Sequence, residues 1–284
     1  MAQPITATLI KELRDLTGIG MGKCKEALEE SGGDIGLAVS NLRKSGMASA
    51  VKKEGRAANE GVVVFAEKGN AIAIVEVNAE TDFVVRNERF LKFAQEVAEE
   101  AAATAPADLT GFMAQKFSKD PSLSIDEYRA TIVQAIGENI QVRRINILKK
   151  DAGKSVGMYS HLGGKMVTAV EIAGNSGEES LAKDIAMHVA ASNPEYLAPE
   201  SVPASIVENE KEIAKGQLQG KPANMLDKIV EGKLNAYYDS ACLVRQKFIR
   251  DDSLSIQALV DKRSKESGKP LKLVSFLRWS VGGN

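Results

Sequence analysis

The first 46 residues carry a helical pattern of apolar positions, with glycines and polar residues between its segments. The first segment ends at Thr17-Gly18, a second helix is predicted over residues 22–30, and Asp34 is placed to cap a third over residues 35–44. Gly46 is predicted to end that third helix as its C-terminal glycine. Three short helices in about 45 residues would share only a thin core, and a domain of this size is typical of a docking module. The apolar face of the first helix consists of Ile5, Leu9, Leu13 and Leu16.

An internal repeat organises the longer part of the chain that follows. Residues 69–77 (GNAIAIVEV) align with residues 164–172 (GKMVTAVEI), 95 positions further on. Each copy follows a short strand-like run with a glycine turn, and each is followed by a polar turn and a helix. Two halves built as hairpin, helix and strand predict a duplicated α+β core. The predicted helices and closing strands lie at 87–103, 140–148, 180–192 and 271–281.

The second half carries an insertion with its own helical pattern. Two amphipathic segments, residues 205–215 and 223–238, are joined by a turn that contains Gly and Pro, residues 216–222. This arrangement predicts a helical hairpin, a short coiled-coil arm at about 204–238, and such an arm typically meets a partner. The apolar positions of the two segments are Ile206, Val207, Ile213, Ala214, Leu226, Val230, Leu234 and Tyr237.

Composition and charge narrow the classes of function. The 284 residues include 37 Lys and Arg against 38 Asp and Glu, so a net charge of −1 provides no attraction to nucleic acid or to an anionic membrane. Two His and two Cys argue against a zinc site and a disulfide framework. The N-terminus lacks a signal-peptide pattern, and no apolar run reaches the roughly 20 residues that span a bilayer. We therefore expect a cytoplasmic protein without a cofactor.

Motifs for catalysis fail on inspection. The segment Gly18-Ile-Gly20-Met-Gly22-Lys23-Cys24 lacks both the earlier Gly and the Ser or Thr after Lys that a phosphate loop needs. Gly163-Gly164-Lys165 fails likewise and is interpreted as a hairpin turn. His188 lies in an apolar helix, which favours a packed core histidine, whereas His161 lies in a polar hairpin and is expected to be exposed. The acidic pairs at 99–100 and 178–179 are interpreted as solvated helix faces.

The segment Glu80-Thr81-Asp82-Phe83-Val84-Val85 joins a predicted strand to a predicted helix. One interpretation is structural: Thr81 or Asp82 caps the helix and Phe83 packs inward. The other places Asp82 and Phe83 on an exposed tip, where an aromatic side chain could anchor an interface. The pattern of residues leaves both interpretations open.

Several segments together resemble bacterial elongation factor Ts, and the resemblance extends over almost the whole chain. It implies a three-helix ubiquitin-associated-like (UBA-like) domain, a two-part α+β core and a helical-hairpin dimerisation arm. It also implies guanine-nucleotide exchange on elongation factor Tu, the GTPase that carries aminoacyl-tRNA, without catalysis of bond breaking. The segments are 13–28 (LRDLTGIGMGKCKEAL), 33–35 (GDI), 41–46 (NLRKSG), 75–84 (VEVNAETDFV), 183–194 (KDIAMHVAASNP) and 229–233 (IVEGK).

The resemblance assigns roles to particular residues. Thr81-Asp82-Phe83-Val84 matches the family segment that dislodges Mg²⁺ from elongation factor Tu, with Phe83 as the wedge and Asp82 near the metal shell. Arg14 and Met21 match N-terminal positions that touch the GTPase, and His161 matches a contact from the C-terminal half.

Two departures from the family pattern accompany these assignments. Gly22 replaces a Met of the family pattern, and the chain stops at Asn284. We therefore expect it to lack the C-terminal helical module of some members.

These observations predict a division into a UBA-like domain at 1–46, a linker at 47–60, and core subdomains at 61–150 and 151–284. The expected partners are elongation factor Tu and, through the arm, a second copy of the chain, with neither nucleic acid nor membrane. Two rival hypotheses stay open. One is a scaffold or chaperone-like binding module without an effect on nucleotide, and the other is an enzyme with an unrecognised carboxylate site.

Overall fold

A computed structural model describes residues 4–216 and 223–283, and for residues 223–226 it describes the backbone alone. The described residues form two compact units. The first contains residues 4–149 together with 163–165 and 280–283. The second contains the described residues of 150–162 and 166–279. The turn predicted at 216–222 falls almost entirely outside the described residues.

The two units combine helices with antiparallel strands, as the patterns predict. The helices of the first unit are α1 (Ala7–Thr17), α2 (Met21–Glu30), α3 (Ile35–Lys53), α4 (Asp82–Val85), α5 (Glu88–Thr104), α6 (Leu109–Ala114) and α7 (Ile125–Ile136). Its strands are β1 (Glu60–Lys68), β2 (Ala71–Ala79), β3 (Lys116–Phe117), β4 (Asp120–Ser124) and β5 (Ile140–Lys149). The second unit has helices α8 (Glu179–Ser192), α9 (Ala204–Gly216), α10 (Ala223–Ala241) and α11 (Ile256–Ser267). Its strands are β6 (Lys154–His161), β7 (Met166–Ala173), β8 (Lys247–Phe248), β9 (Asp251–Ser255) and β10 (Lys272–Ser280).

The N-terminal helices form where capping residues and apolar spacing predict them. The Thr6 side chain accepts a hydrogen bond from the Leu9 N–H, and Gly18 ends α1 in the left-handed conformation. The Asp34 carboxylate accepts from the Leu37 N–H at 2.8 Å, which confirms it as the cap of α3. Residues from all three helices share one apolar cluster, which includes Leu13, Ile19, Cys24, Leu28, Ala38 and Leu42.

The predicted end of the third helix is wrong. Helix α3 continues to Lys53, and Gly46 lies buried within it instead of capping it. Gly46 faces α7, where a Cβ atom would stand 2.9 Å from the Gln134 Oε1 atom and 3.5 Å from the Ala130 carbonyl oxygen, so the two helices lie close together here. Gly46 and Ala50 continue, at four-residue spacing, the face that Leu42 begins. About half of the predicted linker at 47–60 is therefore helix.

The first unit is built on a three-stranded antiparallel sheet in the order β1-β2-β5. Central strand β2 is buried along its whole length, and α5 packs against β1 and β2 through Phe90, Phe93 and Val97. Gly69 takes a positive φ of 59° in the turn between β1 and β2. The hairpin, helix and closing strand predicted for this half are confirmed.

A β-bulge in β5 brings two arginines to one buried carboxylate. The register of β2 on β5 shifts between Glu76 and Val77, so Arg143 has no partner of its own in the ladder. Glu76 is completely buried, and it accepts hydrogen bonds from Arg144 Nε at 2.7 Å and from the Gly282 N–H at 2.9 Å. Arg143 lies 3.8 Å away from the same carboxylate. The buried charge is therefore compensated, as burial requires.

The second unit repeats this plan with the strand order β10-β7-β6. Strands β6 and β7 are joined by a turn through Gly163 and Gly164, both at positive φ, which confirms the predicted turn. Helix α8 packs on β6 and β7. Helix α8 lies so close to β6 that a Cβ atom at Gly157 would stand 2.1 Å from the backbone nitrogen of Lys183.

Each unit also contains a two-stranded ribbon followed by a helix, which the predicted plan of hairpin, helix and strand omits. These are β3-β4 with α7 in the first unit and β8-β9 with α11 in the second. Residues 115–125 (QKFSKDPSLSI) align with residues 246–256 (QKFIRDDSLSI), 131 positions apart. The Gln115 and Gln246 carbonyls each accept from the backbone N–H of the Ile ten residues later, at 3.0 Å. The offset exceeds that of the hairpins by 36 residues, close to the 35 residues predicted for the arm insertion at about 204–238.

Helices α9 and α10 contact each other, and the second runs three residues beyond its predicted end. Ala214 and Val230 are buried together, with Ile229 against them. Of the predicted apolar positions, Ile213 is exposed, and Leu226 lies outside the residues whose side chains are described.

His188 is a packed core residue, as its helix predicts. It is completely buried, its Nε2 atom lies 2.9 Å from Gln246 Oε1, and its Nδ1 atom accepts from the Ile249 N–H. These contacts suit a neutral ring that carries its proton on Nε2. Burial lowers the pKa of His188 below its usual 6.5.

Both cysteine thiols are free and buried. Every described helix is too short or too polar to cross a bilayer.

Replacement of Glu76 by Ala is expected to lower the free energy of unfolding by about 3–5 kcal/mol, because Arg144 then loses the partner of a buried ion pair. Glu171 is the equivalent residue of the second repeat, and its hydrogen bond comes from the Ser275 hydroxyl. Glu171→Ala is therefore the matched control, with an expected loss of about 1–2 kcal/mol. Urea unfolding followed by circular dichroism measures both values. Equal losses would contradict the importance assigned to the bulge.

The stability of the protein is expected to fall as the pH drops below about 6.5, in part because of His188. Its folded pKa is lowered, so the unfolded chain binds more protons in the window below 6.5 and the stabilisation present above 6.5 is lost. His188→Gln should remove that part of the pH dependence between pH 7.5 and 5.5, as measured by urea midpoints. Parallel pH curves for wild type and His188→Gln would contradict the prediction.

Candidate functional site

A four-residue helix, α4, presents an aromatic side chain between the central strand β2 and helix α5. Thr81 is its N-cap, and the Thr81 Oγ1 atom accepts from the Val84 N–H at 3.4 Å. Val84 and Val85 are buried in the core, whereas Phe83 is 81% exposed. Capping by Thr81 is therefore confirmed, whereas the predicted inward packing of Phe83 is wrong. The single helical turn directs Val84 and Val85 into the core and leaves Asp82 and Phe83 on the outside.

The carboxylate of Asp82 stands beside Phe83 in solvent. Its one ion pair within the described residues is with Arg86, at 3.6 Å, and both side chains are more than half exposed. Exposed pairs at i and i+4 contribute only about 0.3–0.5 kcal/mol, so this pair leaves the carboxylate free to meet another cation. The exposed part of the segment therefore offers one aromatic ring and one negative charge side by side.

The segment from Thr81 to Arg86, here called the tip, is anchored by Glu138 in the turn before β5. Glu138 Oε2 accepts from the Thr81 N–H at 3.0 Å, and Glu138 Oε1 accepts from the Thr81 hydroxyl at 2.7 Å. Both atoms of Thr81 that can donate thus bind one carboxylate. The sequence pattern did not indicate Glu138, since the two residues lie 57 positions apart.

A second contact lies beside the first. Glu80 Oε1 accepts from the Asn139 N–H at 2.6 Å. Asn139 is completely buried, and its side-chain amide donates to the Glu54 and Arg56 carbonyls at 3.3 and 2.8 Å. The Arg56 guanidinium lies 3.5 Å from Glu80. The base of the tip is therefore connected both to β5 and to the chain just after α3.

Arg14 and Met21 lie on either side of the turn between α1 and α2. Both are exposed, Met21 by 56%. Leu16, which the pattern places on the apolar face of α1, is instead 66% exposed. A Cβ atom at Gly22 would meet nothing within 4 Å, so the position is open to a side chain.

The turn between α1 and α2 lies against Arg89 of α5, and α3 is bound to the β3-β4 ribbon. The Arg89 guanidinium of α5 lies directly against Gly18, whose positive φ of 68° is the reason that this position needs glycine. Arg43 of α3 donates to Asp120 at 3.2 Å and to Ser122 at 2.9 Å. These contacts orient the face that carries Arg14 and Met21.

In the second unit, His161 is half-buried rather than exposed. Its Nδ1 atom lies 3.0 Å from the Tyr159 hydroxyl, which fixes the imidazole ring. The next residue, Leu162, is 73% exposed at a φ of 50°. The exposed apolar group at this turn is therefore Leu162, a residue that the sequence pattern did not single out.

Comparison with known proteins decides the family. A family model described as Elongation factor TS matches residues 80–283. The elongation factor Ts of Protochlamydia amoebophila is 64% identical over 278 residues, which cover 98% of this chain and 99% of that protein. The chain belongs to the elongation factor Ts family. The elongation factors Ts of Chlamydia trachomatis serovar L2 and Chlamydia pneumoniae are 43% and 45% identical over 273 residues, with 96% of this chain and 97% of each relative covered.

As a member of the elongation factor Ts family, the chain is a translation elongation factor. Nucleotide exchange on elongation factor Tu is the known role of that family. The segment with Phe83 lies inside the matched range.

The described residues of this family member carry no His, Cys, Asp or Glu group arranged to hold a metal ion.

The interpretation of two acidic pairs as solvated faces is wrong in part, because Glu100 and Glu178 are buried. Glu100 accepts from the Ser118 hydroxyl at 2.6 Å. The hydrogen bond from Arg263, at 2.7 Å, lowers the pKa of the Glu178 carboxyl. Both carboxylates thus hold their own units together.

Proposed function

We propose that this chain speeds GDP release from elongation factor Tu by inserting Phe83 into the GTPase and disturbing its bound Mg²⁺. The observation that carries the proposal is the exposure of Phe83 on an anchored turn. Exposure of a large aromatic side chain is unfavourable in water, and aromatic side chains are frequent anchors at interfaces. A ring held in one orientation loses little freedom on binding, which favours association.

The expected effect on the nucleotide follows from electrostatics. In GTPases of this kind, Mg²⁺, a Lys and backbone N–H groups together compensate the charge of the nucleotide phosphates. A wedge that displaces the elements around the metal leaves that charge less compensated, so GDP dissociates faster. The Asp82 carboxylate adds negative charge next to the wedge and weakens the metal shell further.

Thr81 and Val84 serve this function from inside the tip. Thr81 caps α4, and Val84 fixes the turn in the core, so that the residues between them face outward. We assign Thr81-Asp82-Phe83-Val84 as the segment that dislodges the metal. Thr81 and Val84 hold the segment in place, and Asp82 and Phe83 contact the GTPase.

Thermodynamic linkage makes the exchange reversible. If binding of this chain weakens GDP binding by some factor, GDP weakens binding of the chain by the same factor. By the same linkage, a GTP molecule whose binding is weakened by the chain would in turn promote release of the chain. The protein acts as a nucleotide exchange factor, and the covalent chemistry belongs to its partner.

Arg14 and Met21 are proposed as a second contact with elongation factor Tu, and His161 as a third. Support comes from the exposure of the first two and from the fixed ring of His161 beside exposed Leu162. We also propose that residues 1–46 form a UBA-like domain. Helices α1, α2 and α3 supply three helices with one shared core, although the third helix extends to Lys53.

The arm is proposed to join two copies of the chain. Its described core consists of few side chains, and Ile213 of α9 is 46% exposed although it belongs to the predicted apolar face. A second arm would cover that side chain, as in a coiled-coil pairing.

Phe83→Ala is expected to slow the GDP release that the chain promotes at least several-fold, without unfolding the protein, because it removes the wedge and leaves the core intact. Stopped-flow fluorescence with labelled GDP on elongation factor Tu measures the rate. Val51→Ala is the matched control, since Val51 is also an exposed apolar residue of the first unit. Release at the wild-type rate would refute the role of Phe83. No acceleration by the wild-type chain would favour the binding-module hypothesis.

Ile213→Asp is expected to shift the chain from dimer to monomer, because a buried charge without a partner destabilises an apolar contact. Asn209→Asp, on the same helix at an exposed position, is the control and should leave the dimer intact. Sedimentation velocity measures both. A wild-type chain that sediments as a monomer at tens of micromolar would refute the dimer.

A further inference from the structure

We infer that Glu138 is a positioning residue for nucleotide exchange, and that it acts by fixing the direction in which the exposed Phe83 side chain points. The inference rests on the proposed function of Phe83 and adds a residue outside the segment assigned to it. Glu138 lies in the turn after α7, where Gly137 ends the helix with a φ of 94°. It contacts the tip through Thr81, the residue that caps α4.

The geometry follows from the register of the central strand pair. Ala79 of β2 lies opposite Ile140 of β5, so the next residues of this antiparallel pair bring Glu80 opposite Asn139 and Thr81 opposite Glu138. Beyond the last pair of the ladder, side-chain carboxylates continue it. Glu80 accepts from the Asn139 N–H at 2.6 Å, and Glu138 accepts from the Thr81 N–H at 3.0 Å.

Each carboxylate thus takes the place of a main-chain carbonyl. The two strand ends therefore stay together for two residues past the sheet, and the tip starts from a fixed base.

The Thr81 hydroxyl carries this constraint to the helix. It has one proton to donate, and Glu138 Oε1 accepts it at 2.7 Å. Its lone pairs then face the Val84 N–H, which donates to Thr81 at 3.4 Å. A four-residue helix is too short to form without such support, because helix nucleation is unfavourable. The orientation of Phe83 therefore depends on the acceptor that orients the Thr81 hydroxyl.

Loss of this carboxylate would loosen the tip without opening the core. Val84 and Val85 stay packed against β1, β2 and α5, and the ladder up to Ala79 and Ile140 does not use the Glu138 side chain. The expected change is a wider range of Phe83 orientations, with fewer encounters that place the ring correctly. This effect differs from a general loss of stability, so the two can be separated by experiment.

The chain offers a matched control for Glu138. Glu127 also accepts from the backbone N–H of a helix cap, Ser124, at 2.6 Å, and it lies in the same unit away from the tip. Glu138→Ala and Glu127→Ala therefore remove the same charge and a similar hydrogen bond. Glu138→Gln retains one of the two acceptor oxygens and should be intermediate.

The test measures GDP release from elongation factor Tu by stopped flow, over a range of factor concentrations, for these variants with and without Phe83→Ala. Glu138→Ala is expected to lower the maximal rate about tenfold, roughly the loss of one hydrogen bond to a charged group. The half-saturating concentration should change less, and in the Phe83→Ala background Glu138→Ala should have no further effect. Hydrogen exchange by mass spectrometry over residues 80–86 should be faster in Glu138→Ala and unchanged in Glu127→Ala.

Three outcomes would overturn the inference. The first is equal rates and equal hydrogen exchange for Glu138→Ala and Glu127→Ala. The second is an effect of Glu138→Ala that is as large without the Phe83 ring as with it, since Glu138 would then act by another route. The third is faster hydrogen exchange at the tip together with a normal rate for Phe83→Ala, which locates the failure in the proposed function of Phe83. Thermal unfolding of each variant checks that the fold is retained.

Discussion

The pairing of β2 with β5 is the constraint on which the functional part of the first unit depends. The bulge opposite Glu76 shifts the register by one residue, and the shifted register sets Ala79 against Ile140. Because side chains alternate along a strand, a different register would move Glu138 away from Thr81 and turn the strand end over. The buried Glu76 carboxylate, bound by Arg144, holds the bulge in place. A buried ion pair in the sheet thus fixes the position of an exposed ring at its end.

The two repeats use one position in opposite ways. The counterpart of Phe83, 95 residues further on, is Glu178, which is buried and bound to Arg263. In the second copy the helix starts directly at Glu179, whereas in the first the chain forms α4 and then breaks before α5 begins at Glu88. In the first copy the Phe83 ring lies outward on α4. In the second copy the Glu178 carboxylate binds Arg263 of α11 within its own unit. Duplication therefore supplied the frame, and only one copy carries the exposed aromatic residue.

Local signals predicted most elements, because short-range chemistry decides them. Thr81 and Asp34 cap helices, and glycines at 163 and 164 form the turn that the repeat predicts. Prediction failed where distant contacts override local preference. Gly46 resembles a helix end, yet packing on Gln134 carries the helix through it. Residues 115–125 were not recognised as a repeat because the inserted arm changes their spacing from 95 to 131.

The amino-acid sequence by itself determined the three N-terminal helices, the hairpin, helix and closing strand of each half, the duplication and the resemblance to one family, since periodicity, turn chemistry and motif spacing are all local. It also identified Thr81-Asp82-Phe83-Val84 as the segment of interest. Whether Phe83 faces the core or the solvent was decided only by the tertiary structure. That choice depends on a strand register and on hydrogen bonds between Thr81 and Glu138, 57 residues away in sequence, and no local pattern encodes which distant carboxylate will orient a threonine hydroxyl.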